Sequence, residues 1–164
     1  MIARAAEGGA SPMADHVLET RVWLARPRAQ VFAFFADPGN LARVSPPALR
    51  LRLLTPLATL HAGAVLDVRA VWLGLPLRWR TYVREYDPPY RFVAVQVRGP
   101  WAHWEHRHRF LDDGGGTLVE DRVTYRLPLG PLGRALHTAL VRRQLRRAWA
   151  FRRARLKELF GGAA

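Results

Sequence analysis

Polar and apolar residues alternate most regularly in the segment from Gly99 to Leu111, GPWAHWEHRHRFL. From Trp101 onward the period is two, which predicts a β-strand whose alternate side chains face opposite sides. One face carries Ala102, Trp104, His106, His108 and Phe110. The other carries Trp101, His103, Glu105, Arg107 and Arg109. The first face ends in aromatic residues and is predicted to face the core, whereas the second is charged and is predicted to face solvent. Two histidines are therefore directed inward, where each needs a polar partner.

Six further strands are predicted from apolar or alternating runs that turn residues separate. They span residues 17–25, 49–54, 65–73, 77–86, 91–98 and 117–127. Turn signals lie at Gly74, at Pro88-Pro89 and in the run from Asp112 to Gly116. Because the connections after the first two strands are too short for parallel crossovers, we expect an antiparallel meander.

Helical spacing appears in three places. Pro27 stands where a first-turn proline is favoured, and Val31 and Phe35 follow on one helical face. A second short helix is expected over residues 41–44. A long helix is expected from about Leu132 to Phe160, with an apolar stripe that can cover one face of the sheet. The stripe contains Val141, Leu145, Ala148, Trp149, Leu156 and Leu159.

Arg152 falls near the middle of that apolar stripe, whereas the other basic residues of the helix lie mainly on the opposite side. Two interpretations are open. The side chain can extend past its neighbours so that the charge stays in water. Alternatively, the guanidinium enters the interior and meets a carboxylate or a ligand anion.

The composition fits a single domain. The chain has 164 residues, 49% of them hydrophobic, which suffices for a core without crosslinks. Residues 1–14 are predicted to be a disordered leader and residues 15–164 the domain. The absence of cysteine excludes disulfides, thiolate catalysis and cysteine-ligated zinc. No transmembrane run and no secretory signal is found, so a cytoplasmic location is expected by default.

The chain is strongly basic, with a formal net charge of +13. Of its 26 basic residues only Lys157 is a lysine, and the others are arginines. Such a charge suits a partner with phosphates, either nucleic acid or an anionic membrane surface. The arginines are, however, spread over almost every predicted element. We therefore expect a solvated surface with no specific nucleic-acid partner.

Several motifs together resemble the SRPBCC superfamily, which includes StAR-related lipid-transfer domains, polyketide cyclases and the birch-pollen allergen. The segment of residues 25–47 is similar to its P-x-x-x-V-F-x-F-x-x-D-P-x-N-L opening. A bacterial ligand-binding branch is matched more closely, through a Phe-x-x-x-Gln strand, Gly-Pro, W-x-H-x-H-x-F and D-x-V-x-Y-x-L-P. These motifs comprise Phe92, Gln96, Gly99, Pro100, Trp104, His106, His108, Phe110, Asp121, Val123, Tyr125, Leu127 and Pro128.

The resemblance covers residues from about 16 to 160 and implies an α+β helix-grip fold. In that fold a curved antiparallel β-sheet wraps around a long C-terminal α-helix, and two short helices follow the first strand. It also implies a cavity for a small, largely apolar ligand between sheet and helix. Ala94 departs from the branch, which often has an acidic residue there. If that acid helps to hold the histidines, this chain holds them without it.

Strand phase places Gln96, His106, His108 and Asp121 on one concave face. The other candidate ligand-binding residues are Trp79, Trp104, Tyr125, Trp149 and Arg152. Three interpretations compete. In the first, the cluster is a structural network in which Asp121 accepts a hydrogen bond from an imidazole and Gln96 bridges the polar groups. In the second, the cluster orients a ligand in an apolar pocket. In the third, a histidine held by Asp121 acts as a general acid or base.

A metal site is a further interpretation of the same residues. His106, His108 and Asp121 could form a two-histidine, one-carboxylate face. A His-x-His strand is also a cupin feature, but the later histidine of a cupin is missing, since no histidine lies between 108 and 137. No metal and no cofactor are therefore expected.

From these observations we expect a protein that binds a small hydrophobic or amphipathic molecule, lipid-like or polyketide-like, between sheet and helix. One alternative is a polyketide cyclase or dehydratase in which His106, His108 and Asp121 are catalytic. A further alternative is an interaction module whose basic helix face contacts a membrane surface or nucleic acid. Monomer and homodimer both remain open.

Overall fold

The computed structural model describes residues 15–128, 130, 132 and 140–161. The predicted leader and residues 133–139 of the predicted last helix lie outside the described residues. The strands are β1 His16–Leu24, β2 Arg52–Leu53, β3 Val65–Trp72, β4 Leu75–Asp87, β5 Arg91–Arg98, β6 His103–Asp113 and β7 Gly116–Arg126. The helices are α1 Arg28–Ala36, two 3-10 helices at Pro38–Val44 and Pro47–Leu49, and α2 Arg142–Phe160.

The seven strands form one sheet in the order β1-β7-β6-β5-β4-β3-β2. Each neighbouring pair is antiparallel, and β1 closes the meander by pairing with β7. Helix α1 and the 3-10 helices connect β1 to β2, and α2 follows the sheet. The predicted α+β helix-grip architecture is confirmed.

The predicted strand over residues 49–54 is wrong for most of its length. Only Arg52 and Leu53 pair with β3. Leu49 ends the second 3-10 helix, and Arg50 has a φ of 43°, in the left-handed region that breaks an extended chain. The alternation of leucine and arginine therefore did not predict the backbone conformation correctly in this segment, which follows two prolines.

Strand β4 bends the sheet. Its pairing with β5 shifts register between Arg80 and Thr81 and again between Val83 and Glu85. Such irregularities put an extra residue on one strand, which bends that strand and increases its twist. The sheet as a whole is curved, and these two irregularities between β4 and β5 add to its bend and twist.

The core has two parts, which meet at the histidines of β6. One part is built around α1, where Phe32 contacts Phe92 and Phe110 with ring centroids 6.0 and 5.2 Å apart. The other contains Trp104 and Leu145 with further aromatic side chains of the β5–β6 turn and β7. Along β6, residues 106 and 108 lie between Trp104 and Phe110, so the histidines stand between the two apolar parts.

Trp101 corrects the expectation that it shares the solvated face of the histidine strand. Its exposed fraction is 8%, and its ring centroid lies 5.0 Å from that of Trp104. Strand β6 begins only at His103, so the alternation does not extend back to Trp101. The turn before the strand instead folds this side chain into the core.

The described surface is basic along the outer side of α2. Elsewhere many arginines pair with surface carboxylates, as Arg21 does with Glu120 at 2.9 Å. On α2 the exposed arginines include Arg142, Arg143, Arg146, Arg147 and Arg153. Within the described residues, no helix is both long and apolar enough to cross a membrane.

We predict that this basic face binds polyanions only weakly. At physiological ionic strength we expect no saturable binding to duplex DNA or to vesicles containing phosphatidylserine, measured by fluorescence anisotropy and co-sedimentation. Any binding at low salt should weaken linearly in log affinity against log salt. The matched control replaces Arg143, Arg146, Arg147 and Arg153 together by Gln and should lose the low-salt binding. Submicromolar saturable binding at physiological salt would contradict this prediction.

Candidate functional site

The site is built on the pairing of β6 with β7. His108 stands directly opposite Asp121, and His106 lies two positions earlier on the same face of β6. Side chains paired across an antiparallel sheet share a face and have Cβ atoms about 5 Å apart. His108 Nδ1 lies 2.5 Å from Asp121 Oδ1, and His106 Nε2 lies 3.3 Å from the same oxygen. One carboxylate oxygen thus faces both imidazoles.

The packing of the rings determines how these contacts are made. The ring centroids of His106 and His108 are 3.8 Å apart, Phe92 packs 4.3 Å from His108, and Trp149 packs 5.5 Å from His106. Neither ring nitrogen directs an N–H at Asp121 Oδ1 with hydrogen-bond geometry, although the distances are short. A carboxylate oxygen this close to a neutral imidazole is favourable where the ring nitrogen carries the proton, and the contacts with both rings help to lower the pKa of Asp121.

Arg152 enters the same cluster from α2. It follows the buried Leu145 by seven residues and precedes the buried Leu156 by four, a spacing that places all three on one helix face. Its side chain is 13% exposed, and Nε lies 3.8 Å from Asp121 Oδ2. The guanidinium carbon lies 5.1 Å from the ring centroid of Phe35. We name His106, His108, Asp121 and Arg152 the histidine cluster.

At neutral pH the histidine cluster holds one carboxylate, one guanidinium and two neutral imidazoles. Burial lowers the pKa of His106, and burial together with the neighbouring imidazole lowers the pKa of His108 to about 3. Burial by itself raises the pKa of Asp121, but His108, His106 and Arg152 hold that pKa well below its usual range. Burial also lowers the pKa of Arg152, yet a guanidinium stays charged at this pH. The two buried charges offset each other, as a desolvated site requires.

A cavity of about 210 Å³ lies between the concave face of the sheet and α2. Most of its lining is apolar, from the first 3-10 helix and strands β3 to β6. Of the residues proposed from sequence, the lining includes Trp79, Trp104, His106, His108, Trp149 and Arg152. Asp121 is not part of the lining, although it contacts the histidines that are.

Gln96 does not bridge the histidines, which corrects one of the sequence interpretations. Its Nε2 donates to the carbonyl oxygen of Trp101 at 2.7 Å, and its Oε1 lies 3.4 Å from the backbone nitrogen of the same residue. Gly99 permits this closure, because a Cβ there would lie 2.3 Å from Gln96 Oε1. Gln96 therefore shapes the β5–β6 turn and is not among the residues that line the cavity.

Tyr125 also lies outside the lining of the cavity. It is 3% exposed and packs against Trp101 and Trp104, with ring centroids 5.5 and 6.1 Å away. Strand phase placed this residue on the correct face. The side chains of the β5–β6 turn, however, lie over it, and alternation along β7 contains no information about them.

Several lining residues were missed by the sequence analysis. Phe35 contacts both Arg152 and His108, the latter with ring centroids 5.6 Å apart. Trp72 at the end of β3 and Trp101 in the β5–β6 turn also line the cavity. Phe35 was recognised as apolar and helical, but nothing in the spacing of α1 indicates which part of the sheet it contacts.

His106, His108 and Asp121 are the group of described histidine and acidic residues with the geometry to hold a metal ion. Their ligand atoms all lie within 4.8 Å of one another. A two-histidine, one-carboxylate set suits a divalent transition metal. Such an ion would, however, lie close to the guanidinium of Arg152, and the repulsion between the two cations opposes its binding.

The fold and the site define a helix-grip protein with an apolar cavity and a buried ionic cluster beside it. A family model described as polyketide cyclase/dehydrase and lipid transport matches residues 24–151. The chain belongs to this family, within the SRPBCC superfamily. Comparison with curated proteins gives no match.

Solved structures share the fold at low identity. TTHA0849 from Thermus thermophilus has a TM-score of 0.64 at 23% identity, over 87% of this chain and 95% of that one. CV1439 from Chromobacterium violaceum has a TM-score of 0.69 at 14% identity, over 90% and 98%. A START superfamily protein from Mycobacterium smegmatis has a TM-score of 0.66 at 15% identity, over 88% and 99%. At these identities the likeness shows the fold alone.

Replacing Asp121 by Ala should strongly destabilise the protein. The change leaves the guanidinium of Arg152 buried without its carboxylate and removes the partner of two imidazoles. We expect a loss of about 3–5 kcal/mol in the free energy of unfolding, measured by urea denaturation. Glu19→Ala is the control, because Glu19 pairs with Arg122 on the surface and its loss should cost about 1 kcal/mol or less. Equal costs for the two variants would show that Asp121 is not the partner on which the cluster depends.

Stability should fall as the pH is lowered below about 6.5. In the unfolded chain an imidazole has a pKa near 6.5, whereas burial lowers the pKa of both cluster histidines in the folded protein. Between pH 6.5 and the lowered pKa of each folded histidine, the unfolded chain binds more protons than the folded protein, so acid favours unfolding. For His108 this range of pH extends down to about 3. Asp121 adds a further loss of stability below its ordinary pKa of 3.8, because its pKa is lowered in the folded protein.

We expect each cluster imidazole to contribute a loss of about 1.4 kcal/mol per pH unit across its window. The measurement is urea denaturation at pH 7, 6, 5 and 4.5. His108→Asn should flatten the slope because it removes one titrating group. The control variant His61→Asn, at an exposed position, should keep the wild-type slope. A free energy of unfolding that does not change between pH 7 and 4.5 would contradict the burial of neutral imidazoles.

Proposed function

We propose that this protein binds a small hydrophobic or amphipathic molecule in the cavity between the sheet and α2. The observation that carries the proposal is an apolar cavity of about 210 Å³ with the histidine cluster at one part of its lining. Ligand sites are typically concave and mainly apolar, with a few polar groups that determine orientation. Here the two imidazoles and the guanidinium of Arg152 are those polar groups.

The family supports this proposal. Its description includes polyketide cyclases and dehydrases as well as lipid transport, which share apolar or amphipathic molecules as substrates or cargo. A fold in common does not by itself assign an activity. The binding role therefore rests on the cavity and its polar groups, and the family narrows the class of molecule.

Acid–base catalysis is the second candidate, because two imidazoles that contact a carboxylate line the cavity. An efficient general base has a pKa near the working pH. Burial lowers the pKa of His108 to about 3 and also lowers that of His106. Both shifts make the imidazoles weaker bases, which favours the binding role over a cyclase or dehydratase. A dipolar ligand would still be oriented by the same groups.

Native mass spectrometry of gently purified protein tests the binding role. We expect an adduct of a few hundred daltons that is absent after denaturation. Ala148 lines the cavity from α2, so Ala148→Phe should fill the space and abolish the adduct. Ala150→Phe is the matched control, because Ala150 is exposed on the same helix and its replacement should preserve the adduct. An adduct that persists in folded Ala148→Phe would place the bound molecule outside the cavity and overturn the proposal.

A further inference from the structure

Arg152 has more hydrogen-bond donors than the described residues satisfy. A guanidinium carries five N–H donors and cannot neutralise itself by losing a proton. Among the described residues its contacts are an ion pair with Asp121 at 3.8 Å and the face of Phe35. Its buried Nε has no acceptor in hydrogen-bond geometry within that described part of the chain. The side chain is only 13% exposed, so bulk water reaches little of it.

The carboxylates near the cavity do not supply the hydrogen-bond acceptors that Arg152 lacks. Asp121 directs Oδ1 towards the two imidazoles, at 2.5 and 3.3 Å, and only Oδ2 faces Arg152. Asp37 also lines the cavity, but its side chain accepts from the backbone nitrogen of Gly39 at 2.8 Å and from Asn40. Opposite His106 on β5 stands Ala94, which supplies no acid. Arg152 is thus the cation of the described lining, and although Asp121 balances its formal charge, only one carboxylate oxygen faces its five N–H donors.

Indole nitrogens add to the excess of donors. The side chains of Trp79, Trp101 and Trp149 line the cavity, and the buried Nε1 of each lacks a hydrogen-bond partner among the described residues. An indole N–H can only donate. The indoles therefore add hydrogen-bond donors, and no acceptor, to the side chains around the cavity.

We infer that the ligand is a compact, ring-containing carboxylate whose charged head pairs with Arg152 and whose rings pack among the tryptophans. The inference rests on the proposed binding function and specifies the class of ligand. A volume of about 210 Å³ is below the range of about 300–1,000 Å³ that is typical of sites for drug-sized molecules. That size suits a molecule of two or three rings better than a long acyl chain. The tryptophan rings, such as Trp79 and Trp104 with centroids 4.9 Å apart, suit flat rings.

Two matched probes test this inference: 2-naphthylacetate and 2-(2-naphthyl)ethanol, which share the ring system and differ in the carboxylate. Binding is measured by calorimetry and by quenching of tryptophan fluorescence at physiological salt. We expect the acid to bind wild-type protein at least about tenfold more tightly than the alcohol, because hydrogen bonds between two charged groups are stronger than those to a neutral hydroxyl. Arg152→Gln should reduce this preference to within about twofold, and Arg152→Lys should retain part of it.

Arg153→Gln controls for the basic surface, because Arg153 is exposed on the same helix and carries the same charge. This variant should preserve the wild-type preference, which separates the cavity from adsorption to a chain of net charge +13. Equal affinities of acid and alcohol for wild-type protein, both lost in Ala148→Phe, would overturn the anionic head and leave the cavity-binding function intact. If Ala148→Phe binds both probes as tightly as wild-type protein does, this result would count against the cavity as the binding site. A preference for the acid that survives in folded Arg152→Gln would also overturn the inference.

Discussion

The buried carboxylate of Asp121 is the constraint on which much of this structure depends. It is 5% exposed, and an isolated ion at such a position would be too costly to keep charged. Its compensation comes from three separate side chains, two on β6 and one on α2. The carboxylate is stable only when both elements are in place. The cluster therefore couples the register of the sheet to the position of the helix.

The same coupling makes alternative arrangements unfavourable. A slip of one residue between β6 and β7 would turn His108 and Asp121 to opposite faces, because strand side chains alternate with period two. A rotation of α2 that carried Arg152 to solvent would expose the apolar stripe around Leu145 and Leu156. A buried polar group that loses part of its hydrogen bonds or ion pairs lowers the stability of the fold, so both of these alternative arrangements are disfavoured.

The position of the cluster also explains the character of the cavity. The histidines lie between an apolar region around Phe110 and a region rich in tryptophan around Trp104. The cavity lies between residues of β3 to β6 and residues of α2 such as Ala148 and Trp149. A molecule in that space meets polar groups on one side and aromatic rings on another. Solved structures at 14–23% identity share the fold of this chain.

The period-two patterns of β6 and β7 predicted that His106, His108 and Asp121 meet on one face of the sheet. The helix-grip fold, in contrast, was expected from the order of all predicted elements together with the resemblance to the SRPBCC superfamily. Alternation is a local property of a strand, and antiparallel neighbours preserve it across the sheet. The helical stripe likewise identified Arg152 as a candidate for the interior. Sequence periodicity failed at Trp101, Gln96 and residues 49–54, where turns and prolines break the regular backbone on which such arguments depend. Only the tertiary structure decided that Arg152 reaches Asp121, that Phe35 packs on Arg152 and His108, and that a cavity remains. These features depend on how elements that are far apart in the sequence pack against one another, and a local pattern of residues contains no information about that packing.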